Sequence, residues 1–164
     1  MKNQDLLISL RHHFSSPDAE TYDVLDFAFR YGSVLEALMF SRLFWPEFAE
    51  VEGMVLFKEV AEDPRQYERI RDYLERSDGD RTEVERSFNL KEVTTQLLGK
   101  DLKETTDEQI DLLEERLCEM WAARLSVLYP DRRFKVEVVN LDPNDPEGDT
   151  GITFCQIRDN SDLR

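Results

Sequence analysis

TDEQIDLLEERLCEMWAARLSVLYPDRRFKVEVVN, residues 106–140, holds two hydrophobic periodicities separated by one proline. Before Pro130, the residues Ile110, Leu113, Leu117, Met120, Trp121, Leu125 and Leu128 recur at helical spacing and draw one inward stripe. Glu108, Asp111, Glu115 and Glu119 occupy much of the remaining surface. Thr106 stands where a cap belongs, with Gln109 three residues on, and proline cannot continue a helix, so the stretch predicts a helix over 107–129. Beyond the proline the period falls to two. Phe134, Val136 and Val138 alternate with Lys135 and Glu137, and further on Ile152, Phe154 and Gln156 alternate with Thr153, Cys155 and Ile157. These runs read as the two arms of an antiparallel hairpin, joined by a connection from Asn140 to Thr150 that is long for such a loop.

Working back towards the N-terminus, Ser16-Pro17-Asp18 carries the chemistry of a helix start, and Tyr22, Leu25, Ala28 and Phe29 mark a buried face after it. Gly32 kinks or splits that helix. Val34, Leu35, Leu38, Met39 and Leu43 continue an apolar stripe to Trp45, where Pro46 stops it. Large apolar groups crowd the segment Tyr31–Phe57, including Phe40, Phe44 and Phe48, so this segment is core or in part an interface. Met54–Phe57 is too short for periodicity to decide, and we read it as a strand. Asp63-Pro64 opens a helix carrying Tyr67, Ile70, Tyr73 and Leu74 that ends at 77–80. Asp80 with Glu83 and Asn89 with Glu92 each resemble a capping box, which predicts two short helices, the second closed by Gly99. Residues from 160 onward are expected to fray. The expectation is one helix-rich α+β domain over 1–164, with five to six helices and a C-terminal antiparallel β-hairpin.

Charge is the strongest compositional signal: 36 Asp and Glu oppose 21 Lys and Arg, a formal net charge of -15 on 164 residues. A compact chain of this mass exposes on the order of 8,500 Å², so its field repels nucleic-acid phosphates and anionic lipids and attracts cationic proteins. The excess is uneven. Residues 1–57, 58–103 and 104–164 carry nets of -5, -2 and -8, and the last third is therefore where a cation is expected to land. No run of uncharged apolar residues is long enough for a membrane span, and the N-terminus lacks a secretory pattern, which points to the cytoplasm. Cys118 and Cys155 stand far apart without metal-ligand or redox spacing and read as reduced packing thiols.

Chemistry-bearing constellations are weak. Asp142, Asn144, Asp145, Glu147 and Asp149 crowd oxygen ligands into one loop, but Pro146, Glu147 and Thr153 fall where a calcium loop needs a ligand, a glycine and a bidentate Glu. Such loops form as turns without an ion. His12 and His13 are the only imidazoles, near a helix start, and adjacent residues cannot share one metal from a helix. Glu36, flanked by Leu35, Ala37 and Leu38, is the best single candidate for a general acid with a raised pKa, against the plainer reading of a surface glutamate. Glu114-Glu115 and Asp23/Asp26 read as wet-face carboxylates. Phosphate-binding glycine loops are missing, and Arg132, Arg133 and Lys135 are too few to bind nucleic acid. We expect no metal or other cofactor.

The leading expectation is a non-enzymatic acidic binding protein that recognises a basic protein partner, as an inhibitor or immunity-like protein does. Its partner would meet Glu108, Asp111, Glu115, Glu119, Asp142, Asp145, Glu147 and Asp149 around an aromatic anchor such as Trp121, Trp45 or Phe44. An enzyme of unfamiliar type, using a buried carboxylate or a carboxylate-held divalent ion, is the alternative. A homo-oligomer whose self-interface lies in Tyr31–Phe57 is the third.

Overall fold

The structure, a computed structural model, describes residues 3–14, 19–93, 105–142, 144, 145 and 148–158. Its helices are α1 (Asn3–Phe14), α2 (Val24–Tyr31), α3 (Val34–Phe44), α4 (Lys58–Ala61), α5 (Pro64–Arg76), α6 (Arg81–Phe88) and α7 (Asp107–Leu128). Its strands are β1 (Phe48–Val51), β2 (Met54–Phe57), β3 (Lys91–Glu92), β4 (Phe134–Asn140) and β5 (Thr150–Gln156). The class is α+β and the C-terminal hairpin is present, with seven α-helices among the described residues where five to six were expected. Caps explain most helix ends. Thr106 and Gln109 form a reciprocal box on α7, Asp63 caps α5 ahead of Pro64, and Asp80 accepts from the Thr82 and Glu83 N–H groups at the start of α6.

β1 and β2 form an antiparallel hairpin closed by Glu52 and Gly53, both at positive φ. Gly53 suits that backbone without cost, and Glu52 is held there because its carbonyl accepts from Arg81 Nε at 2.8 Å and its carboxylate from the Tyr67 hydroxyl at 3.1 Å. A second sheet has the order β3-β5-β4, all antiparallel. Along β2, Val55 and Phe57 pack with Leu117, Trp121 and Leu125 of α7, whereas Met54 and Leu56 pack with Ile70 of α5 and Val84 of α6. Strand residues are thus covered on both faces, and β2 reads as a continuous apolar run because it has no wet side. On β5, Ile152 and Phe154 join the α7 core while Thr153 turns to α6 and donates its hydroxyl to the Arg86 carbonyl at 2.7 Å.

The two sheets meet without strand-to-strand ladder bonds. Two α6 side chains one turn apart fill the seam between β2 and β5. The Glu85 carboxylate accepts from the Val55 N–H at 2.8 Å and from the Gln156 N–H at 2.7 Å. Asn89 Oδ1 accepts from the Phe57 N–H at 3.2 Å, and its Nδ2 donates to the Val55 and Phe154 carbonyls at 2.9 and 3.2 Å. Val55 and Gln156 meet at Glu85, Phe57 and Phe154 at Asn89, the order that antiparallel neighbours would show. Arg158 closes the end of the seam, donating to both Glu85 oxygens at 2.8 and 2.9 Å, to Thr82 Oγ1 and to the Gly53 carbonyl. Glu85 and Asn89 are fully buried, so each would otherwise be an uncompensated cost.

Several expectations change. Asn89 does not cap a following helix. It ends α6, and Lys91–Glu92 pair with Ile152 and Gly151 as β3, because Asn89 is needed at the seam. The proposed close at Gly99 lies outside the described residues, as do Ser16-Pro17-Asp18 and the tail from 160. α2 begins instead at Val24, with Asp23 and Asp26 capping each other, and Gly32 ends it. The face Leu25, Ala28 and Phe29 is exposed, not buried. α2 carries a second stripe, Phe27 and Tyr31, and this is the one that packs, with Phe14 stacked on Tyr31 at 4.0 Å and near Phe27 at 5.7 Å. β1 was missed because Phe48-Ala-Glu-Val51 lies half-exposed beside its partner strand and has neither the alternation nor the length of a clear signal.

Candidate partner-binding surface

α7 lies with one stripe in the core and another outside. Spacings of three and four place Glu108, Asp111, Glu115 and Glu119 along the outer stripe, and all four are exposed. Arg116, on the same helix, pairs with Glu119. Glu114 is the exception among the helix carboxylates. It is buried, not on the wet face, and accepts from the Thr150 hydroxyl at 2.6 Å. Burial raises its pKa above the usual carboxylate value, the Thr150 hydroxyl opposes that shift, and the neighbouring Asp111 charge adds to it.

The Glu114–Thr150 bond fastens the start of β5 against the first half of α7, and Asp149 precedes it directly. The loop before it is held from within. Asp142 accepts from the Asn144 N–H at 2.9 Å, Asn140 donates to the Asp145 carbonyl at 2.7 Å, and the Leu141 N–H donates to the Asp149 carbonyl at 2.9 Å. The Asp142 carboxylate is thereby engaged in building a turn. Asp142, Asp145 and Asp149 are exposed; Glu147 lies outside the described residues. Among the described residues no His, Cys, Asp or Glu cluster has the geometry to hold a metal ion, and no helix is long and apolar enough to cross a membrane.

The basic cluster Arg132, Arg133 and Lys135 lies at the other end of the β4–β5 hairpin and is largely engaged with acids of the same chain. Arg132 pairs with Glu50 at 2.7 Å and lies over the Tyr129 ring, while Lys135 and Arg86 both reach Glu137. Of the aromatic anchors, Trp121 is buried and donates its indole N–H to the Leu43 carbonyl at 2.9 Å, so no partner can reach it. Phe44 is half-buried in the core. Trp45 keeps an exposed edge, with Arg124 stacked over its ring. Arg124 also donates to the Pro46 carbonyl, so this arginine is occupied in tying the end of α3 to α7.

Comparison of the chain with family models, curated proteins and solved structures finds no match in any of the three. The site residues therefore stand on their geometry alone. Glu36, the best acid candidate by sequence, is exposed and engaged in capping α3, where it accepts from the Ser33 N–H and hydroxyl at 2.9 and 2.8 Å. A carboxylate that is open to solvent and committed to a helix cap lies in no apolar cleft where a substrate could meet it, so Glu36 is not placed for acid catalysis. His12 and His13 fall in the last turn of α1, not near its start, and both are exposed. Cys118 is half-buried with its thiol pushed up to about 11, and Cys155 is buried with its thiol also raised, both through desolvation. Neither thiol forms the thiolate a nucleophile requires at neutral pH.

The buried Glu114 gives a pH signature. A carboxyl whose folded pKa lies above its unfolded value stabilises the fold at low pH, and that contribution is lost as pH rises through the folded value. Glu114→Gln keeps an acceptor for Thr150 and removes the titration. The variant is expected to be at least as stable as the wild type at neutral pH, with the difference shrinking as pH falls towards 4.5. Urea melts across that range test it; a variant that is weaker than the wild type at pH 7 and closes the gap as pH falls contradicts the assignment.

Proposed function

We propose that this chain is a binding protein rather than a catalyst, and that the acidic surface of α7 and the β4–β5 loop receives a basic protein partner. What supports this reading is the exposed carboxylate stripe Glu108, Asp111, Glu115 and Glu119 on α7, together with the Glu114–Thr150 bond that ties the strand following Asp149 to the same half of that helix. Both acidic segments belong to the third of the chain whose net charge is -8. A surface of this kind speeds encounter with a cationic protein and rejects anionic ones, and it resembles what an inhibitor of a nucleic-acid-binding enzyme presents to a phosphate groove. Of the three aromatic candidates Trp45 alone keeps an exposed ring, but it sits against Arg124 and off the carboxylate stripe, so the acidic surface takes no anchor from them.

The test compares the wild type with the triple variant Glu108→Gln, Asp111→Asn, Glu115→Gln in native purification at low ionic strength. These side chains are exposed, so the variant is expected to fold normally. The expected outcome is one basic protein recovered in stoichiometric amount with the wild type and lost with the variant. Recovery of the same protein by both chains, or of none by either, overturns the proposal.

A further inference from the structure

We infer that the outer face of α2 and α3 is an interface with a second copy of this chain. On α2, Leu25 and Phe29 stand one turn apart on the side opposite Phe27, and are 76% and 92% exposed. On α3, Leu35, Leu38 and Met39 form a stripe opposite Phe40 and Phe44, and Val34 extends it; Val34 and Leu35 are 78% and 77% exposed. Each helix therefore has two apolar faces. The inner one is satisfied, by Phe14 for α2 and by the α7 core for α3, and the outer one is bare.

Two observations single out a second copy as the occupant. First, charge: between Val24 and Trp45 the chain has two acids, Asp26 and Glu36, and two bases, Arg30 and Arg42, so this face is neutral on a protein of net charge -15. Both acids are also engaged in capping their own helices. A basic partner finds no surplus of carboxylates here, and an anionic membrane finds no surplus of cations. A neutral face bearing both signs is self-complementary under a two-fold axis, and it lets two strongly acidic bodies approach with their charged thirds elsewhere. Second, area: the six bare side chains, each offering on the order of 100 Å² or more, approach the ~800 Å² per partner of a standard interface.

Packing α2 and α3 of one copy against the same pair in another makes a four-helix contact in which Phe29 and Leu35 are the anchors. The dimer would present two acidic surfaces, and a partner with two basic sites would gain by avidity. The interface itself does not depend on the proposed basic partner.

Sedimentation equilibrium of the purified chain tests the inference. The wild type is expected to be a dimer at micromolar concentration, and to tighten as sodium chloride is added because salt screens the repulsion between the two bodies. The double variant Phe29→Ser, Leu35→Ser is expected to weaken self-association on the order of a hundredfold or more, with an unchanged circular dichroism spectrum, since neither side chain is buried. A monomeric wild type at high protein and salt concentration overturns the inference, as does a dimer that the double variant leaves intact. Binding of a monomeric wild type to neutral lipid vesicles or to an unrelated protein, lost in the double variant, counts against it equally. The acidic-surface proposal is read out separately, because the α7 variant retains Phe29 and Leu35.

Discussion

Replacing Glu85 with alanine is expected to cost about 3–5 kcal/mol of folding stability, the penalty for breaking a buried ion pair from one side. Four donors converge on this carboxylate: the Val55 and Gln156 N–H groups and both terminal nitrogens of Arg158. Alanine strands all of them in a place water does not reach. The more telling variant is Glu85→Gln, which is isosteric. Its amide has one acceptor oxygen and one donor nitrogen, so at least one of the four donors would face another donor. The glutamine variant should therefore lose most of what alanine loses. Urea titration gives the comparison as a lowered midpoint at unchanged slope. A glutamine variant with wild-type stability would show that the seam does not rest on an acceptor-only group.

Asn89→Ala is the second large effect. It orphans the Phe57 N–H and the Val55 and Phe154 carbonyls, each in the buried seam. Unsatisfied groups of this kind cost roughly 1–3 kcal/mol each, without full additivity, so a total near ~3 kcal/mol is expected. Asn89→Asp keeps the shape and one acceptor but sets a carboxylate oxygen against two carbonyls. It is expected to be no better than alanine at neutral pH, and an aspartate variant as stable as the wild type would contradict this reading. Because Glu85 and Asn89 share the strands they join, the double replacement should cost less than the sum of the two.

These two residues also mark the limit of what could be read before the structure. The α7 stripe and the β4–β5 alternation were legible because each is long, strongly periodic and bounded by a cap or a proline. The seam was not. Glu85 belongs to, and Asn89 caps, a helix whose sequence, Arg81–Phe88, mixes acids and bases as a solvated surface does. The signal that was present is positional: Glu85 and Asn89 sit next to Val84 and Phe88, so they widen the apolar arc of α6 by one polar row. Periodicity also failed at α2, where Leu25/Phe29 and Phe27/Tyr31 are both four apart and only the presence of Phe14 decides between them. Glu114 looked like its neighbour Glu115 until Thr150, distant in sequence, came to meet it. The exposure of Glu108, Asp111, Glu115 and Glu119 was legible because it needs only the helix to be right. The docking of Thr150 on α7 was not, because it depends on a bond between residues 36 apart.

The central claim is that the anionic surface on α7 and its neighbouring loop does the protein's work by binding a cation-rich protein. Its most direct test is the association rate with the co-purified basic protein, followed by stopped-flow fluorescence across ionic strength, for the wild type and the α7 triple variant. The account predicts a wild-type rate that falls by about tenfold or more from low to physiological salt, and a variant that is slow at low salt and nearly flat. A wild-type rate indifferent to salt, or a variant as fast as the wild type, would contradict it.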